Sequence, residues 1–449
     1  MIKKYSLILA VVLALCSFGI AGAAQIDGLQ NAAGPNLPIA DDGFGATDNL
    51  HVYVNPSGFG DALIYGYYNV RDNNVNYFQI VNTDTVNGKV VKVRFREAAT
   101  INDACGAGVD CGSREVLDFI VCLSKGDVWT AAVTGFGAGP AQVCAIDPDV
   151  DGSHFTLTGP QVPACSKGGQ PFATQITPTV TITADQTKEG YFEVLAYGNW
   201  GTTSCAINGR NATGNAGNDL MGINYLQNDV TGMTYTYKAT ALADWNTVAV
   251  NPQTTGAEEF NLTNGTDNFW APNVLTSLFA VDYVLTRSEL FGTYLIDTAF
   301  DAETEMVVTF PTKMLNQLYP TTLFDDPQVG YNVWDTAENT ITPQAGFSPS
   351  FTPTNQLPHE VNVINLYNDA GNDVGTTIFT SDVQGNLDAT TFGLGWLGID
   401  LTPSTSCTSG TSADATVSCT RYGGLFAGGA GQGVTALSAG LPSIGYVFQ

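Results

Sequence analysis

The feature that most constrains this chain is a two-residue alternation that recurs in its N-terminal third. Around Val90–Phe95, Val91, Val93 and Phe95 share one parity, while Lys92, Arg94 and Arg96 share the other. In Glu115–Leu123, Leu117, Phe119, Val121 and Leu123 fall in step in the same way. Successive side chains of a strand point to opposite faces, so this pattern specifies strands with one apolar face; a helical stripe has a longer period. Leu63–Tyr68, Tyr77–Val81, Val128–Val133, Val180–Thr183, Tyr191–Tyr197, Val361–Leu366, Ile378–Thr380 and Gly445–Phe448 are further expected strands, rich in aromatic and β-branched residues. Asn87-Gly88 and Lys125-Gly126-Asp127 are turn signals between them.

With 49 glycines and 20 prolines punctuating 449 residues, long helices have little room. Helix signals are few, and the best of them, Ser288–Ile296 and Lys313–Tyr319, are each about two turns long. The expectation is an all-β chain of antiparallel β-sandwich domains, immunoglobulin-like or jelly-roll-like, with long disulfide-pinned loops and few short helices. Residues 1–23 read as a signal peptide and 24–47 as an extended lead-in rich in Gly, Asn, Pro and Asp. Residues 48–207 are expected to form a first sandwich and 218–449 a second β-rich domain, with a single interleaved unit as the alternative. The stretches from about Thr134 to Phe172 and from Gly198 to Asp219 read as long ordered loops. No internal repeat of fixed period is present, which excludes a solenoid or propeller.

Lys3 and Lys4 precede a short apolar run, Leu7–Leu15, and Ala21-Gly22-Ala23 is a small-residue cleavage site. The run breaks at Ser17 and Gly19 and is too short to span a bilayer. Cleavage after Ala23 is expected. Lipidation at Cys16 is the alternative, disfavoured by the bulky Leu15 before it. Nothing later is a continuous apolar run of spanning length, so no transmembrane helix is expected in the mature chain. An outer-membrane barrel is the remaining membrane reading, because the chain ends Tyr446-Val447-Phe448-Gln449; its expected strands are shorter than barrel strands.

Eight cysteines follow the leader: Cys105, Cys111, Cys122, Cys144, Cys165, Cys205, Cys407 and Cys419. An even count in an oxidising compartment points to disulfides, although eight cysteines allow about a hundred pairings. Cys105 with Cys111 and Cys407 with Cys419 would each close a short loop, leaving Cys122, Cys144, Cys165 and Cys205 for one another. No pair has the C-x-x-C spacing of a zinc site, and the chain has three histidines.

The formal charge is −26, with 16 basic residues against 42 acidic ones. Nucleic acid and anionic membranes need clustered cations, so neither is an expected partner. Cell-surface components, glycans or copies of the same chain fit better.

Several segments together resemble one family of exported bacterial cell-surface proteins without an assigned activity. They are Gly60–Tyr65 (GDALIY) with Tyr67, Tyr68, Val70 and Arg71; Val91–Glu97 (VKVRFRE); Ser113–Leu123 (SREVLDFIVCL) with Asp127–Trp129; and Lys188–Val194 (KEGYFEV). Thr304–Lys313 (TEMVVTFPTK), Leu357–Val363 (LPHEVNV) and Gly440–Gly445 (GLPSIG) follow in the same order. The resemblance covers most of the mature chain and implies an exported surface protein, with no chemistry attached. The chain departs from the family pattern by inserting Ala98–Gly112, which holds Cys105 and Cys111, and by placing Cys122 where the family often has an aromatic residue. Both departures imply extra disulfide bracing near one edge of the first sandwich.

Asp147-Pro-Asp149-Val-Asp151-Gly152-Ser153 is the sharpest local motif. D-x-D-x-D-G sets three carboxylates on one side of a tight turn, so Asp147, Asp149, Asp151 and the Ser153 carbonyl are candidate calcium ligands. Position twelve is Thr158 rather than the bidentate Glu of a helix-flanked calcium loop, and an acidic surface turn explains the same residues. Calcium is the candidate ion, and no other cofactor motif occurs. His51, His154 and His359 lie beside neither a nucleophile elbow nor an H-E-x-x-H helix. The carboxylate pairs Glu258/Glu259, Glu303/Glu305 and Asp325/Asp326 are what 42 acidic residues produce by chance.

Arg94, Arg96, Glu97, Arg114 and Glu115 read as cross-strand ion pairs on a sheet face, with an acidic partner as the rival. Among the tryptophans, Trp129, Trp245 and Trp396 sit in apolar contexts and read as core, while Trp200 and Trp270 sit in polar stretches and are the candidate binding contacts. The functional expectation is a non-enzymatic exported protein, at the cell surface or secreted with the periplasm as an alternative, in a structural or adhesive role. A carbohydrate-binding protein using aromatic loops, with or without calcium, and an unrecognised extracellular hydrolase are the alternatives.

Overall fold

The computed structural model describes residues 53–98, 113–135, 137–146, 162–177, 180–200, 217–243, 286–287, 289–297, 304–311, 330–338, 340–341, 360–366, 393–400, 441–442 and 444–448. Its elements are strands, with short 3-10 turns at Cys165–Lys167 and Gln186–Lys188 and no α-helix among the described residues. In chain order the strands are β1 (Tyr53–Val54), β2 (Ala62–Asn69), β3 (Asn74–Asn82), β4 (Gly88–Glu97), β5 (Glu115–Leu123), β6 (Val128–Thr134), β7 (Gln142–Ala145) and β8 (Gln170–Pro171). Next come β9 (Gln175–Thr177), β10 (Val180–Thr181), β11 (Glu189–Trp200), β12 (Leu220–Asn228), β13 (Thr234–Lys238) and β14 (Thr240–Ala243). The later strands are β15 (Thr286–Arg287), β16 (Glu289–Leu295), β17 (Glu305–Thr309), β18 (Gly330–Asp335), β19 (Thr340–Ile341), β20 (Val361–Asn365), β21 (Leu394–Asp400), β22 (Leu441–Pro442) and β23 (Ile444–Phe448).

Two six-stranded antiparallel sheets form the sandwich the alternation predicts. One has the order β1-β14-β2-β11-β4-β5, the other β13-β12-β3-β6-β7-β8. Val91, Val93 and Phe95 of β4 and Leu117, Phe119, Val121 and Leu123 of β5 turn inward and meet Phe78, Ile80, Trp129 and Val133 of the facing sheet in one buried core. The period-two pattern therefore decides which side of each strand is dry. Trp129 lies in this core, as its apolar context predicts. The turn that carries the chain from β2 in one sheet to β3 in the other has Asp72 and Asn73 at φ 49° and 68°, the left-handed region that short polar side chains tolerate. The Asn74 N–H closes that turn on the Arg71 carbonyl at 2.7 Å.

Cys144 and Cys165 form a disulfide with Cα atoms 4.8 Å apart, pinning the 3-10 turn to β7. It is one of the pairings left open by the spacing. Cys122, on β5 at the sheet edge, is also disulfide-bonded. Cys105, Cys111, Cys205, Cys407 and Cys419 lie outside the described residues.

The sandwich extends past the expected boundary. Leu220–Ala243, which follows the expected boundary at 218, contributes to the first sandwich: β12 lies between β3 and β13, and β14 lies between β1 and β2. The reason is pairing: Leu220–Asn228 is in register with Asn74–Asn82, and Thr240–Leu242 with Ala62–Ile64. A composition change at a loop cannot reveal that the following strands return to earlier sheets.

A third layer covers the reverse face of the β2/β11 sheet. It is the three-stranded sheet β20-β17-β23. Thr309 Oγ1 donates to the Gly66 carbonyl at 2.5 Å, Tyr191 OH donates to the Pro311 carbonyl at 3.3 Å, and the Tyr446 ring packs on Tyr237 with centroids 4.2 Å apart. Sandwiched in this way, β2 and β4 bury both faces, so Lys92, Arg94 and Arg96 are buried rather than solvated. Lys92 and Arg94 are matched within the sheet, Arg96 has Glu193 of β11 at 3.8 Å, and Arg114 pairs beside them. Lys92 pairs with Asp118 at 2.7 Å, Arg94 with Glu115, and Arg114 with Glu97 at 3.9 Å. For Arg94 with Glu115 and Arg114 with Glu97 this is the expected ion pairing, inside the molecule; the Lys92–Asp118 pair adds to it.

At the β3–β4 end, Lys89 is almost fully buried, and its Nζ donates to Asp84 at 3.0 Å, Asn199 at 2.6 Å and Asp219 at 2.8 Å. Burial opposes ionisation of Asp84, but the Asn87 side chain and N–H, the Val86 N–H and Lys89 outweigh it and hold the carboxyl well below the usual range. A depressed folded-state value adds stability above the ordinary carboxyl range, and that stability is lost as pH falls through the folded value. Asp84→Asn is expected to cost about 1–2 kcal/mol at neutral pH and to flatten the acid side of the stability profile. Thermal melts from about pH 7 down to about pH 2 test this; an unchanged acid limb in the variant would refute it.

Candidate functional site

A fourth layer, the sheet β16-β21-β18-β19, lies beyond the third. The two meet where Gly445 of β23 approaches Leu290 of β16, so closely that a Cβ would stand 3.1 Å from the leucine. Leu290, Tyr294, Val333, Leu397 and Ile399 are buried on the inner side. The alternate positions Phe291, Thr293, Leu295, Leu394, Trp396, Gly398 and Trp334 therefore face outward.

This outward face is the candidate site. Trp396 stands directly between Thr293 and Trp334 in the strand register. The indoles of Trp334 and Trp396 lie nearly parallel, 11° between planes and 5.9 Å between centroids. Phe291 continues the row at 5.9 Å from Trp396 and 58° to it. The rings have room because position 398 is glycine: a Cβ there would stand 3.0 Å from the Phe291 ring. Phe291 is 57% exposed and Trp396 39%, with Leu295 and Leu394 also exposed. The named positions carry no charge, and Thr293 supplies a hydroxyl.

The row rests on a firm base. Tyr294, on the inner side, donates its hydroxyl to the Trp334 carbonyl at 3.2 Å. Burial, with the Asp335 carboxylate adding to it, pushes that hydroxyl up to about 12, so it remains a protonated donor throughout the ordinary pH range. Chemically the row offers what three adjacent rings can offer: broad, polarisable apolar surface with a negative π-face, suited to C–H groups.

Two sequence expectations are corrected here. Within the expected helix Ser288–Ile296, Glu289–Leu295 is strand, because Leu290 and Tyr294 alternate with Phe291, Thr293 and Leu295, and β21 pairs with the whole length of β16. Trp396 is a surface residue rather than core, because its parity on β21 points away from the third layer. The signal for Phe291 and Trp334 was that same alternation, hidden by large apolar residues on both parities.

The other candidates fall elsewhere. Trp200 is the last residue of β11, opposite Gly88, rather than part of a loop. Trp270, Trp245, Asp147, Asp149, Asp151 and Ser153 lie outside the described residues, as do His51, His154, His359 and the expected elements Ile378–Thr380 and Lys313–Tyr319. Among the described residues, no group of three or more His, Cys, Asp or Glu side chains is arranged to hold a metal, and no helix is long and apolar enough to cross a membrane. Against family models, curated proteins and solved structures, the chain matches none.

Proposed function

We propose that this chain is an exported, non-enzymatic β-scaffold, at the cell surface or secreted, with an adhesive role exercised by holding neutral carbohydrate on the Phe291–Trp396–Trp334 row. The observation that carries the reading is that row: three contiguous rings on the outward sheet face. A pyranose presents a face of C–H groups that packs on an aromatic ring, while its hydroxyls reach water and groups such as Thr293. The chain's charge of −26 disfavours polyanionic ligands, which leaves neutral glycans as the fitting class. Export is supported by the leader-like N-terminus and by the Cys144–Cys165 disulfide, which suits an oxidising compartment.

Adsorption of the purified chain to insoluble neutral polysaccharides tests the reading. Trp396→Ala and Phe291→Ala, both on the solvent side, are each expected to weaken retention at least about tenfold, or about 1.4 kcal/mol. Undiminished retention by both variants would remove the row from the binding surface. A concentration-dependent dimer that either variant dissociates would instead assign the face to a second copy of the chain.

A further inference from the structure

Glu193 is the least compensated charge-bearing group in the described structure. It sits on β11 at the centre of its sheet, on the face turned toward the third layer, and is 0% exposed. Neither carboxylate oxygen has a hydrogen-bond partner among the described residues. Its nearest cation is Arg96, with Nε 3.8 Å from Oε1. The same guanidinium donates through Nη1 to the Ser113 carbonyl at 3.1 Å, and the Ser113 N–H donates to Glu360 Oε2 at 2.6 Å. The Glu360 carbonyl in turn accepts the Phe310 N–H at 2.7 Å, next to β17. Arg96, Ser113 and Glu360 thus form a relay from the sandwich into the third layer, and Glu193 stands beside its first member.

We propose that Glu193 makes this joint a proton-controlled latch: protonated, it leaves Arg96 on the Ser113 carbonyl; ionised, it draws Arg96 away and slackens the Ser113–Glu360 tie. The groups around it fit that role. From β4 come Lys92, Arg94 and Arg96, of which Lys92 and Arg94 are engaged by Asp118 and Glu115 of β5. From β2 comes the uncharged Ile64, in register with Glu193; Tyr191 lies beside it on β11, and Glu360 comes from the third layer. Arg96 is therefore the cation within reach whose bond to the Ser113 carbonyl can be exchanged for Glu193. Burial pushes the Glu193 carboxyl up, against the pull of Arg96 and Arg94. A raised folded-state value means the closed joint is favoured at low pH, and its stability falls as pH rises from the ordinary carboxyl range toward the folded value.

Hydrogen exchange of the Ser113 and Phe310 amides, corrected for intrinsic rates, tests the latch on the whole chain. In the native protein the open fraction should rise about tenfold per pH unit within that window, the slope for one proton released. In Glu193→Gln it should be independent of pH. Equal slopes in the two proteins, or no slope in the native protein, would overturn the proposal. A measurement on the native protein stands should the variant not fold. Infrared titration should show a protonated carboxyl persisting above the pH at which exposed carboxyls ionise, and vanishing together with Ser113 protection. Absence of that band would overturn it equally.

Discussion

Phe192→Ala is expected to lower the stability of the sandwich by about 3–5 kcal/mol, the largest loss from any single truncation considered. Phe192 is fully buried on β11, and its ring is the hub of the aromatic core. It stacks on Tyr65 at 4.2 Å and 12°, and lies 4.7 Å from both Phe78 and Phe95. Those three rings come from both sheets, so removing the hub leaves a void between layers that the paired strands cannot close. Urea unfolding measures the effect: the midpoint should fall while the slope stays constant. A loss under about 1 kcal/mol would show that the core can collapse around the site, and that the ring geometry is incidental.

Gly222→Ala is expected to cost about 1–3 kcal/mol, although it adds one methyl group. Tyr65 reaches across the core from β2 and donates its hydroxyl to the Gln79 carbonyl on β3 at 2.7 Å. To do so it passes over Gly222 of β12, and a Cβ at that position would overlap the Tyr65 hydroxyl. The methyl group must push a buried ring off its hydrogen bond, in a core with no slack. The cause can be isolated with a double-mutant cycle. In a Tyr65→Leu background the obstructing ring end is gone, so Gly222→Ala should cost little. Additive losses would place the cost in backbone conformation rather than in the ring.

Much of the first sandwich is legible in the sequence, because strands with one dry face write their period into the residues. Val91, Val93 and Phe95 can be assigned to the core without a structure, and so can Leu117, Phe119 and Val121. The same logic failed at Glu289–Leu295. There Leu290 and Phe291 are both large and apolar, one buried and the other 57% exposed, so parity carries no contrast. It failed again at Trp396, where apolar neighbours suggested burial. Hydrophobicity records what a side chain can bury, and a binding surface built of aromatic rings looks like core until its orientation is known. The candidate site was therefore almost wholly illegible, and the loop tryptophans named in its place are a strand end, Trp200, and a residue outside the described segments, Trp270.

The sequence by itself determined the all-β character, the pleat of the central strands and the ion pairing of Arg94 with Glu115 and of Arg114 with Glu97, because local alternation and charge settle those over a few residues. Which sheet a strand joins was decided only by tertiary structure. Leu220–Ala243 returns to the first sandwich through register with strands more than a hundred residues earlier, a contact no local pattern encodes. Tertiary structure also decided that the charged face of β4 is covered by a third layer. A row of cations that alternation would leave in water is thereby buried, and Glu193 and Arg96 meet in a place where ionisation has consequences. The physical reason is the same in both cases: a strand's own residues set which faces differ, and the layers packed against it set which face is dry.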